Sequence, residues 1–419
     1  MNSKKQAALI FIFVTVVLDV LSLGVVIPVL PKLIEEFVGE TGAAARYNGV
    51  FASVWAAMQF VAAPIIGAMS DQLGRRRVLL VSCFGLGFDY ILMALAPNLT
   101  WLFIGRIISG ITAASFATAA AYIADITPPD KRASGYAVFG AAWGLGFVIG
   151  PALGGALGAY DKRWPFWLAA ALTLLNASYG YFILPESLTA EKRKKFSWKR
   201  ANPLGSLRLL RSHPELMGIA AIILLYQFAH QVLQSVFVLY GGYRYGWSEK
   251  WVGYTLAAVG IASIIMQGGV VRRAAGKLSE PTMLYIGLTF GAIGYLIYGL
   301  AAQQSFFWCG IPVFAFVGFF SPAVQGLMTK RVGVSEQGQL QGVNSSLMGI
   351  AGCVAPWIFS YIFDVAIHST ADKSSAVVGA PFFLAVGLHV IALVIAFNMF
   401  AWSKGHAAAH VPAAQHEQT

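Results

Sequence analysis

Charge is scarce in this sequence. Asp, Glu, Lys and Arg supply 11% of its 419 residues, against about 25% in ordinary soluble chains, while hydrophobic residues supply 58% and the mean hydropathy is +0.68. That balance excludes a soluble globular protein and makes the chain an integral membrane protein. Cysteine is rare too: Cys83, Cys309 and Cys353 all fall inside apolar runs. Their spacing matches no metal motif, so they read as small hydrophobes. There is no Gly-x4-Gly-Lys-Ser/Thr loop, no metal-ligand cluster and no nucleophile triad. No enzyme activity, metal or cofactor is therefore expected, and any work must come from an ion gradient or the substrate's own gradient. Acid is scarcer than base, 18 residues against 29, for a net charge of +11. In a membrane chain such an excess marks cytoplasmic loops, so no nucleic-acid partner is expected.

What is present is a series of apolar runs. A spanning helix takes roughly 20 residues, and runs of that size lie near 7–30, 47–69, 78–97, 99–123, 133–157 and 165–185, then near 215–240, 251–272, 282–302, 306–329, 339–364 and 380–402. The first run contains Asp19 and is too long for a cleaved signal, so it reads as a retained span. The expected architecture is all-α, with twelve spans in a 6+6 arrangement. A six-helix bundle over 1–185 leads to a basic linker over 186–214, a second bundle over 215–402 and a soft tail over 403–419.

Charge placement tests the count. Odd-to-even alternation puts Lys4, Lys5, Arg75, Arg76, Arg77, Lys131, Arg132, eight basic residues of the linker region, Arg272, Arg273, Lys277, Lys330, Arg331 and Lys404 on one side, 21 of 29. Lys32, Arg46, Lys162, Arg163, Arg244, Lys250 and Lys373 fall on the other, and Arg106 lies within a span. Basic residues stay in the cytoplasm, so both termini are expected there, in a multi-pass protein of the cytoplasmic membrane.

Gly67, Asp71, Gly74, Arg75, Arg76 and Arg77 lie in the short loop after the second span, and Gly67-x3-Asp71-x2-Gly74-Arg75 returns about 202 residues later as Gly269-x3-Arg273-x2-Gly276-Lys277. Duplicated halves are how many transporters are built. Topology alone would require the arginines but not the Gly and Asp spacing. The glycines would admit another helix and a tight turn, and Asp71 would pair with loop arginines, with Asp125 and Arg132 as further partners. This loop is the expected gate.

The first loop resembles the signature loop of the major facilitator superfamily, and the resemblance covers nearly the whole chain. Arg106-x3-Gly110 resembles that superfamily's fourth-span motif. Gly146, Gly150, Pro151, Gly154 and Gly155 resemble its antiporter motif, associated with drug efflux. Leu18-Asp19, Pro28-Val-Leu-Pro31, Asp89-Tyr90 and Tyr122-Ile-Ala-Asp125 are similar to the tetracycline-resistance branch of drug/proton antiporters. The resemblance implies proton-driven export of a small hydrophobic or amphipathic drug-like compound by alternating access. Ser263 and Gly291 stand where that branch's tetracycline exporters carry a histidine and an aspartate, which points away from metal-tetracycline as the substrate. A proton-coupled or passive importer is the alternative transport reading, and a non-transporting receptor the remote one. A single copy is expected to act with its substrate, protons and the lipid bilayer.

Buried ionisable groups carry the chemistry, because a charge at midplane costs at least about 2.5 to 3.5 kcal/mol. At 1.5 Å per residue, Asp19, Asp89 and Arg106 reach similar depth. Two acids beside one arginine make a proton site or a static ion pair, and one arginine cannot balance both acids. In the fifth span, glycines every three or four positions allow close packing, and Pro151 frees a carbonyl and bends the helix. Gln227, His230, Gln231 and Gln234 form a polar stripe on the seventh span, expected to line a cavity with Gln59, Gln325 and Asn344. His389 stands alone and reads as structural.

Overall fold

The computed structural model describes residues 3–113, 118–119, 121–122, 125, 132–189, 191, 193–198, 201–274, 276–333 and 336–409; for 3–12, 132–143 and 402–409 it describes backbone only. Helix is the only regular structure among them. Among the described residues ten helices are long and apolar enough to span a bilayer, and the shorter apolar helices Leu99–Thr112 and Gly144–Gly158 stand in the fourth and fifth places. The twelve-span, two-half reading thus describes the molecule.

Local chemistry sets where helices begin and end. The first span, Ser3–Val26, stops where Pro28 has no N–H to give, and a short helix, Leu30–Val38, carries the chain on to a left-handed Gly39. The run expected over 7–30 is therefore longer and broken. The second span is Thr41–Leu73, ten residues longer than its apolar run, and the eleventh is Gln337–His368. Asn98 opens the fourth span by accepting from Trp101 N–H at 3.3 Å, a side-chain cap that satisfies an end donor. The helix expected to 123 is continuous to Thr112. On the third span, Arg75–Leu95, Phe88 is 61% exposed toward lipid while the next residue, Asp89, is 2% exposed, so the acid faces inward.

The two halves meet unequally along their length. The largest core cluster joins them at one end: Leu33, Ile34 and Phe51 of the first half pack in the same cluster as Val236, Tyr240 and Phe363 of the second. At the opposite end each half keeps its own core, around Val16, Leu79 and Tyr122 in the first and around Leu216, Leu327 and Leu340 in the second. Glycines report the same taper. A methyl added at Gly49 would lie 2.6 Å from Ser360 and one at Gly155 2.4 Å from the Glu249 carbonyl, whereas at Gly67, Gly268, Gly276 and Gly338 it would meet nothing within 4 Å. Among the described residues the halves are sealed at the Asp364 end and parted at the Asp71 end.

The connection touches both halves: Lys194 N–H donates to the Asp71 carbonyl at 3.1 Å, and the Ser206 and Ser346 hydroxyls lie 3.0 Å apart. Near its end the His213 ring touches two carboxylates, Glu215 at 3.0 Å and Glu336 at 3.2 Å. These hydrogen bonds, to Glu215 first and Glu336 second, push His213 above the ordinary histidine range. A raised value stabilises the fold fully below about pH 6.5, the usual histidine pKa, and the contribution disappears as pH rises through the raised value. The thermal midpoint in detergent should therefore fall on going from pH 6 to pH 8.5, and His213→Gln should remove that part of the slope.

Candidate functional site

Three inward-facing groups of the first half converge, from three spans. Asp19 and Arg106 line one water-sized cavity of about 20 Å³ with Leu23, Val26, Trp55, Leu86, Tyr90, Ser109 and Ala113. A space of that size admits about one water. Asp89 lies on the other side of the fourth span's Gly105, where an added methyl would come within 3.1 Å of its Oδ1. The space left at Gly105 is taken by the Asp89 carboxyl and by Met93, 2.6 Å from where the methyl would stand.

These groups are crowded but not paired. Asp89 Oδ1 and Oδ2, Asp19 Oδ1 and Arg106 Nε have no hydrogen-bond partner, and no ion pair joins Arg106 to either acid among the described residues. The guanidinium instead lies over the Trp55 ring, 5.2 Å from its centroid, a cation–π contact worth up to about 2 kcal/mol when desolvated. The static ion pair is therefore not the arrangement here. An acid with both oxygens unpartnered, Asp89, and one with a free oxygen beside a water-sized space, Asp19, can each take up a proton, and Arg106 lines that same space.

The loop after the second span is fastened by one arginine. Arg75 reaches Asp71 at 2.7 Å and Asp125 at 3.2 Å and donates to the Ser70 hydroxyl at 2.9 Å. Asp125 also accepts from Ser187 at 3.1 Å. Arg76 takes a different course, to the Tyr181 carbonyl at the end of the sixth span. The Arg132 side chain lies outside the described residues. Gly67 has no helix beside it, because the halves part at that end; its expected role as a contact point has no counterpart in this arrangement. Gly74 is required by its φ of +100°; a methyl there would also displace the Glu186 carboxylate.

Glu186 was not among the expected residues. It accepts from Arg75 N–H at 2.9 Å and Leu188 N–H at 3.1 Å, so it caps the third span from 111 positions away. The available signal was an acid immediately after the sixth span, at the head of an otherwise basic stretch. The repeat of the loop in the second half is looser. The eighth span passes through a π-helical turn, Met266–Val271, and among the described residues Arg273 bonds the Gly269 carbonyl alone, at 3.4 Å. Such turns often mark functional bends.

In the fifth span the glycines face two ways. Gly146, Gly150 and Gly154 lie against Val20, Leu21 and Val25 of the first span, while Gly155 lies against Gly253 of the eighth span, in the other half. Pro151 offers its carbonyl toward Gly253, 2.5 Å from where a methyl would stand.

The polar stripe of the seventh span divides between two neighbourhoods. His230 Nδ1 lies 3.4 Å from the Tyr295 hydroxyl, and its ring stacks near Tyr226 and Phe314. Gln231 points toward Gly352 of the eleventh span, Gln227 is half-buried and Gln234 is exposed. The four share an arc of about 100° at helical spacing, and its two edges meet different helices. Gln59, Gln325 and Asn344 are half-buried, and no contact gathers them with the stripe; Asn344 Oδ1 is buried without a partner. His389 does not stand alone. It is fully buried, packs its ring against Tyr226 and Tyr295, and turns an unpartnered Nε2 toward Gly291. The missing side chain at Gly291 is what makes room for it.

The chain as a whole is similar to known membrane transporters. The Major Facilitator Superfamily model matches residues 12–356. The chain is 36% identical to the class C tetracycline resistance protein of Escherichia coli, covering 91% of this chain and 96% of that one, and 34% identical to the class E protein, also from Escherichia coli, over 94% and 95%. Multidrug resistance protein 2 of Bacillus subtilis is 26% identical over 87% and 91%. Among solved structures, a bacterial homolog of the human lysosomal transporter Spinster, inward-facing and unoccupied, superposes with a TM-score of 0.76 at 15% identity, covering 96% of this chain and 98% of that one. The human organic anion transporter MFSD10 (TETRAN) superposes at 0.67 and 22%, over 92% and 99%.

Proposed function

The chain belongs to the major facilitator superfamily of membrane transporters, and from that premise we propose that it exports a small amphipathic, drug-like compound in exchange for protons. The observation that carries the reading is Asp89, with neither carboxyl oxygen hydrogen-bonded, and Asp19, with Oδ1 unpartnered, in the same region as Arg106. A carboxyl without hydrogen-bond partners in a dry site bears its charge at high cost. Binding a proton removes that cost, and water or Arg106 reaching it in the other state allows release. The cycle needs no cofactor beyond the proton gradient, and one copy of the chain suffices.

The excess of basic residues at the Asp71 end makes that end cytoplasmic. The bundles at 1–185 and 215–402 then rock about the 186–214 linker, and the described arrangement, sealed at the Asp364 end, is inward-facing. Substrate enters from the cytoplasm along Gln227, Gln231 and Gln234 of the seventh span, with Gln59, Gln325, Asn344 and His230 as further contacts. The relatives' names put tetracycline on the test panel. Ser263 and Gly291 argue for a different preferred compound, since Gly291 faces His389 and offers no carboxylate.

The test is substrate-induced proton movement in proteoliposomes with an imposed pH gradient, across a panel of amphipathic drugs that includes tetracycline. Export predicts proton uptake in exchange with substrate. Accumulation of substrate with protons would establish the importer instead.

Gating rests on Asp71, Arg75 and Asp125, with Gly67, Gly74, Arg76 and Arg132 around them. Asp71→Asn removes a charge-assisted bond of about 1.5 to 3 kcal/mol, so turnover should fall roughly tenfold or more while equilibrium substrate binding stays within about twofold of the parent. Lost binding would reject the separation of gate from binding site.

A further inference from the structure

At the sealed end, the second and eleventh spans are joined by four charged or titratable side chains. Glu40 precedes the second span, Arg46 lies one and a half turns in, and Asp364 and His368 are one turn apart near the end of the eleventh. His368 Nδ1 is 2.8 Å from its own helix's Asp364 carbonyl, and Nε2 is 2.7 Å from Glu40 Oε1 on the other half. Arg46 Nη1 reaches Asp364 Oδ2 at 3.3 Å, again across the halves. Gly42 makes the approach possible, since a methyl there would lie 2.2 Å from Asp364 Oδ1 and 2.6 Å from the His368 ring.

The hydrogen-bond pattern selects a protonation state. Both ring nitrogens of His368 face oxygen acceptors, and only the imidazolium has two N–H donors; the neutral ring would turn a lone pair toward one of those oxygens. The charges facing the ring are Glu40 from the second span's head and Asp364 from its own helix, with Arg46 beyond Asp364. Asp364 is buried, its Oδ1 has no hydrogen-bond partner, and His368 Nδ1 lies 3.3 Å from that oxygen. The His368 side chain is 57% exposed, so its proton exchanges with the medium at that end.

We propose that Glu40, Arg46, Asp364 and His368 form the outer latch of the transport cycle, and that a proton taken from the external side by His368 favours closing of the second span onto the eleventh. These are positioning residues, acting on the equilibrium between states and not on substrate. By linkage, a proton that favours the closed seam is held more tightly when the seam is closed. External acid thus biases the protein toward the inward-facing state in which it loads substrate, an additional dependence on the gradient outside the membrane-buried acids. The inference rests on the alternating-access reading, and its test measures conformation without substrate or proton flux.

Spin labels at Tyr47→Cys and Tyr361→Cys, both exposed on the outer parts of the two spans, would report their separation in a full-length chain with Cys83, Cys309 and Cys353 replaced by alanine. The closed-to-open ratio should rise roughly five- to tenfold from pH 8 to pH 5. It should do so equally in an Asp89→Asn background, which separates the latch from the buried proton site. His368→Gln should abolish the dependence, and Glu40→Gln, which keeps the side chain's shape, should reduce it. A parent chain whose ratio ignores pH, or a His368→Gln chain that keeps the full dependence, overturns the proposal.

Discussion

Asp89→Asn is expected to end proton-driven accumulation of substrate while leaving downhill flux. One proton crossing 100 mV releases about 2.3 kcal/mol, enough for roughly 50-fold accumulation at about 1.4 kcal/mol per tenfold. A chain that no longer binds the proton loses that whole factor and equilibrates its substrate, so the accumulation ratio should fall to about one. The expectation is strongest at Asp89 because it is 2% exposed and neither carboxyl oxygen has a partner. The amide has nearly the same shape and no charge, so folding should survive. Asp19→Asn should impair coupling by a different route. Asp19 shares the water-sized cavity with Arg106, so its loss removes the acid through which a proton reaches the site. Accumulation ratios in vesicles, set beside counterflow at zero gradient, separate lost coupling from a lost protein. Full proton-driven accumulation in both variants would remove this mechanism.

The parts of the site that were legible in the sequence are those fixed by one helix at a time. Asp89 within an apolar third run had to face inward, because lipid offers no partner for it, and its neighbour Phe88 faces outward as helical geometry requires. The twelve runs and the side on which base collects follow from hydropathy and topology alone. What sequence reading missed depends on helices far apart in the chain meeting. Glu186 on Gly74 and His389 against Gly291 leave no local periodic mark. Glu40 and His368 meet across 328 positions, and each taken singly reads as an ordinary polar residue at a helix end. The seventh-span stripe is a polar arc by helical spacing, but which neighbour each edge meets depends on how the ninth, tenth and eleventh spans pack against it. Gly67 is the opposite case. Its spacing suggested a contact, and the contact is missing because this end of the molecule is open.

The fifth span gives the second large effect, because two adjacent glycines there hold different interfaces. A methyl at Gly154 would stand 2.1 Å from the Val25 carbonyl oxygen, and one at Gly155 would stand 2.4 Å from the Glu249 carbonyl oxygen. Both obstacles are backbone, so neither clash is relieved by a rotamer change; the helices themselves must separate. Val25 belongs to the same half, so Gly154→Ala forces apart the first and fifth spans in every state of the cycle. It should lower stability by about 1 to 3 kcal/mol, the usual cost of overpacking, whichever way the protein faces. Glu249 and Gly253 belong to the other half, so Gly155→Ala penalises only the state in which the Asp364 end is sealed. A penalty of the same size would shift the sealed-to-open ratio by roughly 5- to 150-fold toward opening at that end, with thermal stability changed much less. Transport should then be limited by failure to return to the inward-facing state. Distance measurements across the second and eleventh spans, set beside thermal unfolding of both variants, check this: loss of stability without opening in Gly155→Ala would show that the fifth and eighth spans do not form the seam between states.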